Sequence, residues 1–128
     1  MNRKKLLLVV TGLVLASLLI AACGAGSPSP SAAGFPTGKF VWEGSELQGV
    51  YLNEDQTWSA FYYGENVDEG TYSVRGNLYT QETSNVCTSP ATYEWSFDGT
   101  NLKFNLQGED PCDIRKASFD GQTFILTK

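Results

Sequence analysis

The sequence predicts an all-β fold, a small antiparallel up-and-down barrel of eight to nine short strands. Three observations predict it. Apolar and polar residues alternate with period two, most clearly in Tyr93, Trp95 and Phe97 against Glu94 and Ser96, and in Leu102, Phe104 and Leu106 against Lys103 and Asn105. Turn-forming residues recur roughly every 8–15 positions, as in a chain of hairpins. No stretch after Gly38 sustains a helical period. Successive short turns imply a meander, and a meander removes its exposed edges by closing on itself.

The elements follow in order. A first strand covers Lys39 to Glu43. A hairpin runs Gly49 to Leu52, turns over Asn53 to Gln56, and returns from Thr57 to Tyr63. The next runs Thr71 to Val74, turns at Arg75, Gly76 and Asn77, and returns from Leu78 to Gln81. Asp98-Gly99-Thr100-Asn101 is the turn between the two alternating segments above. A last hairpin pairs Arg115 to Phe119 with Thr123 to Thr127 across Asp120-Gly121. Alternation then turns Val50, Leu52, Trp58, Ala60, Tyr62, Tyr72, Val74, Leu78, Trp95, Phe97, Leu102, Phe104, Phe124 and Leu126 inward. Tyr51, Phe61, Tyr63 and Tyr79 fall on the opposite face, where exposed aromatics mark a contact surface for sugar or protein unless loops cover them.

The N-terminus has a different character. Arg3, Lys4 and Lys5 precede an apolar run from Leu6 to Ala22 that is interrupted only by Thr11, Gly12 and Ser17. Small residues then lead into Cys23. The pattern Ile20-Ala21-Ala22-Cys23 resembles the signal peptide and lipobox of bacterial lipoproteins. The resemblance implies that Cys23 takes a diacylglyceryl group and that residues 1–22 are cleaved. The alternative is an uncleaved anchor, since about 17 apolar residues is the lower limit for a span. Either way the basic end stays cytoplasmic and the rest lies outside. The membrane, reached through the lipid, is thus the first expected partner, on the extracytoplasmic face of a cell membrane or outer membrane. Residues 24–37, rich in Gly, Ser, Pro and Ala and without charge, read as a flexible linker with a reach of roughly 20 Å. The domain itself is residues 38–128.

Loss of Arg3, Lys4 and Lys5 takes the chain from a net charge of −5 to −8. That balance argues against nucleic acid as a partner, because phosphate is repelled. The sequence contains no histidine. Ser-His and Cys-His nucleophile pairs are therefore excluded, and so is a usual zinc site. With Cys23 assigned to lipid, Cys87 and Cys112 remain as an even pair in an oxidising compartment, which predicts one disulfide. Closing a loop of about 25 residues contributes roughly 3 to 3.5 kcal/mol in the chain-entropy account. Two acidic clusters, Glu65, Asp68 and Glu69, and Glu109, Asp110 and Asp113, match no calcium loop and read as solvated charge. No metal, cofactor or catalytic residue is expected.

Gly38-Lys39-Phe40, Leu52 to Trp58, Tyr93 to Gly99, Leu102 to Phe104 and Asp110-Pro-Cys-Asp-Ile-Arg115 are similar to segments of small bacterial lipocalin-like (calycin-type) barrel lipoproteins. The resemblance implies a lipocalin-like barrel closed at one end by Arg115 stacked on Phe40. It departs from that family in length and in lacking a Thr-Asp-Tyr stretch. Trp58, Tyr62, Tyr93, Trp95 and Phe104 are the candidate lining of a pocket for a small apolar or amphipathic ligand. The other reading of the same residues is a barrel filled by its own rings, which leaves a non-catalytic envelope interaction or structural module. No protein partner is named by the sequence. Cys23→Ala is expected to abolish membrane fractionation and remove the mass of the lipid; unchanged fractionation and mass would count against lipidation.

Overall fold

The structure, a computed structural model, describes residues 34–128. The signal peptide, the lipobox with Cys23, and the linker as far as residue 33 lie outside the described residues. Eight strands form one closed antiparallel barrel in sequence order. They are β1 (Gly38–Trp42), β2 (Ser45–Leu52), β3 (Thr57–Tyr62), β4 (Glu65–Arg75), β5 (Leu78–Gln81), β6 (Ala91–Phe97), β7 (Asn101–Gln107) and β8 (Thr123–Leu126). One helix, α1 (Asp113–Phe119), stands between β7 and β8. β8 closes the ring on β1 through Phe40 opposite Leu126 and Trp42 opposite Phe124. The expected fold class is the observed one.

Strict alternation of strand direction gives the barrel two distinct ends. One end carries the β2–β3, β4–β5 and β6–β7 turns and the point where the chain enters at Gly38. The other carries the β1–β2 and β3–β4 turns, the long β5–β6 loop and α1. Each end is sealed by a phenylalanine. Phe119 comes in from α1, and Phe35 from the segment just before β1. Phe35 belongs to the stretch read above as linker, yet it is a core residue.

Three local expectations are corrected. Arg115 to Phe119 is a helical segment, not a strand, so the barrel has eight strands and not nine. Only Arg115 and Phe119, four residues apart, are buried there, which is one face of a single helical stretch. Asp113 in the first turn and Lys116 in the last complement its dipole. Second, the β4–β5 turn uses two residues, Gly76 and Asn77, because Arg75 pairs with Leu78. A three-residue turn would place Leu78 inside. The shorter turn shifts the parity by one, so Tyr79 is opposite Val74 and fully buried while Leu78 is exposed. Third, Tyr62 shares the inward parity of Trp58 and Ala60 but lies at the end of β3, past the packed interior, and is 50% exposed.

Two glycines are required by close approach. A Cβ at Gly49 would collide with the Phe40 carbonyl and come within 2.8 Å of the Phe61 ring, which lies over that bare backbone. A Cβ at Gly70 would collide with the Thr83 carbonyl, where the β5–β6 loop crosses β4. That loop is then pinned three ways. Asp68 accepts hydrogen bonds from Ser84 Oγ (2.6 Å) and the Asn85 N–H (2.8 Å). Trp58 Nε1 donates to the Thr83 carbonyl at 3.1 Å. Cys87 is bonded to Cys112, the N-cap residue of α1, so the predicted disulfide fastens loop to helix.

The core is a continuous set of aromatic contacts. Phe104 lies 5.0 Å from Tyr79, 5.3 Å from Phe119 and 5.9 Å from Phe124 between ring centroids. Tyr79 has Phe35 at 5.6 Å and Phe119 at 6.4 Å, with interplanar angles of 18° and 10°. Phe119→Ala is expected to cost about 3–5 kcal/mol in urea denaturation, as for a large core truncation; a cost under about 1 kcal/mol would show that α1 does not seal the barrel.

Candidate functional site

The five candidate pocket residues do not converge on one cavity. Tyr93 and Phe104 are fully buried and meet edge to face at 6.4 Å. Trp58 is buried with its indole N–H on Thr83. Trp95 stands toward the chain-entry end, donates Nε1 to the Gly76 carbonyl at 3.0 Å, and meets Phe35 edge-on at 5.1 Å. Tyr62 is outside, at the far end of β3, edge-on to Tyr63.

The polar centre of the molecule is a group that the sequence reading had divided. Asp110 is buried, not solvated with its acidic neighbours. Arg115 is buried too, and it grips Asp110 with two parallel bonds: Nε to Oδ2 and Nη2 to Oδ1, each 2.7 Å. Nη2 also donates to the Ser89 carbonyl at 2.7 Å, on the β5–β6 loop. The Tyr93 hydroxyl and the Cys112 N–H donate to the same carboxylate. Arg115 is therefore not stacked on Phe40, whose aromatic neighbour is Phe97 at 6.2 Å. The guanidinium instead ties α1 to Asp110 and to the β5–β6 loop, with planar bidentate geometry that suits arginine. Burial alone would raise the Asp110 carboxyl, but the bonds from Arg115, Tyr93 and Cys112 outweigh it and hold it below the usual aspartate value. Burial raises the Tyr93 hydroxyl, and its bond to Asp110 raises it further. The group is a structural clasp joining β6, α1 and the β5–β6 loop, in which acid and base pair with each other and only Arg115 Nη1 lacks a partner among the described residues.

Two clefts open at the surface. The larger, about 470 Å³, lies over β3 and β4 beside Thr83 to Asn85, and its lining includes Thr57, Ser59, Glu69 and Thr71. The smaller, about 230 Å³, is lined by Lys39, Tyr51, Ser59, Phe61 and Asn66 among others. Ser59 borders both. Lys39, Tyr51, Ser59 and Glu69 form one cross-strand row over β1 to β4. Phe61 is outward by parity but only 8% exposed, because the Lys39 ammonium lies 5.1 Å over its ring and Tyr51 packs at 5.3 Å. Glu65, Asp68 and Glu69 lie along strand β4, not in a loop, and Asp68 is occupied by the β5–β6 loop. Among the described residues no group of acidic, cysteine or histidine side chains is arranged to hold a metal ion.

No protein-family model, no curated protein and no solved structure matches the chain. The small closed eight-stranded antiparallel barrel is compatible with a lipocalin-like fold.

Sequence spacing offered one signal for the clasp. Asp110 and Arg115 flank Cys112, and a cysteine in a disulfide brings its neighbours into the protein. Asp110→Asn is expected to cost about 3–5 kcal/mol near pH 6, because Arg115 keeps its charge without a partner. The Asp110 value is lowered in the folded state. Its contribution is therefore complete above the unfolded value near pH 3.9 and is lost as pH falls through the folded one. The stability gap between native chain and variant should close below about pH 4 in urea titrations; a gap independent of pH would refute the charge assignment.

Proposed function

We propose that the chain is a non-catalytic interaction module, lipid-anchored through Cys23 outside the cytoplasm, that works through its outer surface. The observation that carries the reading is the filled interior. Phe35, Tyr79, Phe104, Phe119 and Phe124 touch in succession from one end of the barrel to the other. A carrier of long-chain lipids needs a pocket of roughly 300–1,000 Å³. The two clefts described above lie on the outside of β1 to β4.

That surface supports contact with a polar partner. The larger cleft is lined by hydroxyl and amide side chains with Glu69 and the predicted pocket residue Trp58 among them, and the row ends in Lys39. The absence of histidine excludes Ser-His and Cys-His nucleophile pairs, and Asp110 and Arg115 are paired with each other. The lipobox-like N-terminus supports the anchor, and the disulfide is in keeping with an oxidising compartment.

Tryptophan fluorescence during titration with C12 to C18 fatty acids tests the filled-barrel reading. No saturable change is expected. A one-to-one saturable change at micromolar ligand would restore the lipid-carrier reading and overturn this one.

A further inference from the structure

We propose that Phe35 is a displaceable plug, and that the mouth it fills is a one-ring site for a phenol-class molecule whose binding frees the segment between the anchor and the barrel. This goes beyond the filled-barrel reading, in which the interior takes no ligand, and confines any exchange to a single ring.

Phe35 is held unlike every other ring of the core. The others belong to a strand or to α1, while Phe35 lies in the irregular segment Gly34 to Thr37. Among the described residues no hydrogen bond joins that segment to the barrel. The Phe35 ring is its most deeply buried part, with 8% of the residue exposed, and Pro36 and Thr37 are half-buried. Its seat has three aromatic walls: Tyr79 nearly parallel at 5.6 Å, Trp95 edge-on at 5.1 Å and Tyr72 tilted at 5.4 Å. Withdrawing Phe35 would therefore break no backbone ladder and would expose a seat shaped for one six-membered ring.

The polar groups of the wall suggest the ligand class. The Tyr79 hydroxyl, carried by one of the wall rings, is buried and has no hydrogen-bond partner among the described residues, and phenylalanine has no polar atom to offer it. Buried polar atoms favour a ligand that satisfies them. A phenol supplies the same ring and one hydroxyl that both donates and accepts. Arg115 bonds to Asp110 through Nε and Nη2, and its Nη1 is buried without a hydrogen-bond partner among the described residues. Freed, residues 34–37 would add roughly 13 Å of extended chain to the tether.

The test uses the mature chain labelled with 4-fluorophenylalanine, its Phe35 signal assigned by comparison with Phe35→Leu. Titration with p-cresol is expected to saturate and to move the Phe35 fluorine signal to its solvent-exposed position, with toluene binding at least several-fold more weakly. Phe35→Ala is expected to bind p-cresol about 10- to 100-fold tighter, since the competing ring is gone. Saturation with the Phe35 signal unmoved, equal binding of toluene, or binding by Phe35→Ala alone would overturn the proposal. Palmitate, run in parallel, separates it from the filled-barrel reading: saturable palmitate binding refutes that reading, whereas failure of p-cresol refutes only the plug.

Discussion

The stacking of Phe119 on the buried Tyr79 is the contact on which the rest of the structure depends. A barrel of eight short strands has two open ends and an interior that must be filled or wetted. Here one fully buried tyrosine receives a nearly parallel ring from each end. Phe119 arrives on α1 and Phe35 arrives with the entering chain, so elements far apart in sequence are seated against one side chain of β5. Ring pairs of this kind add about 0.5–1.5 kcal/mol each beyond their buried area. The burial that makes Tyr79 effective also raises its hydroxyl well above the usual tyrosine value, with Tyr72 adding to the effect.

The helix that delivers Phe119 needs its own fastening, because seven residues make a marginal helix. Two devices supply it, on residues three apart. The disulfide ties the N-cap Cys112 to the β5–β6 loop, and Arg115 ties the helix to Asp110 and to Ser89 of the same loop. The loop in turn is held to β4 by Asp68. Covalent bond, ion pair and loop clamp form one path from the wall of the barrel to the plug at its end. The other end has no such path. Phe35 is seated without a hydrogen bond from its segment to the barrel among the described residues, and the proposal that it is exchangeable rests on that asymmetry.

The fold class was legible because period-two alternation survives in β6 and β7 and because the turns are marked by Gly, Asn and Asp. The disulfide was legible from counting cysteines once Cys23 was set aside. Faces were less secure. One residue of turn length at Gly76-Asn77 decided whether Leu78 or Tyr79 entered the core, and both are acceptable there by composition. Arg115 to Phe119 is too short for a period of 3.6 to be told from a period of two, so a helix was read as a strand. The clasp was hidden for a different reason. Charged residues are buried only when paired, and pairing across a disulfide-bonded cap is a property of three dimensions. Phe35 sat in a composition that signals a linker, and nothing local distinguishes a plug from a spacer. Of the candidate pocket aromatics, Tyr93 and Phe104 pack against each other in the core, Trp58 borders the larger outer cleft, and Tyr62 lies outside.

Xenon binding followed by NMR tests the filled barrel most directly, since dry apolar cavities of sufficient size take up xenon. The account predicts no saturable shift of the methyl signals of Val50, Val74 and Leu102 in the native chain, and a clear saturable shift in Tyr79→Ala. Saturable uptake by the native chain at those methyls would contradict it.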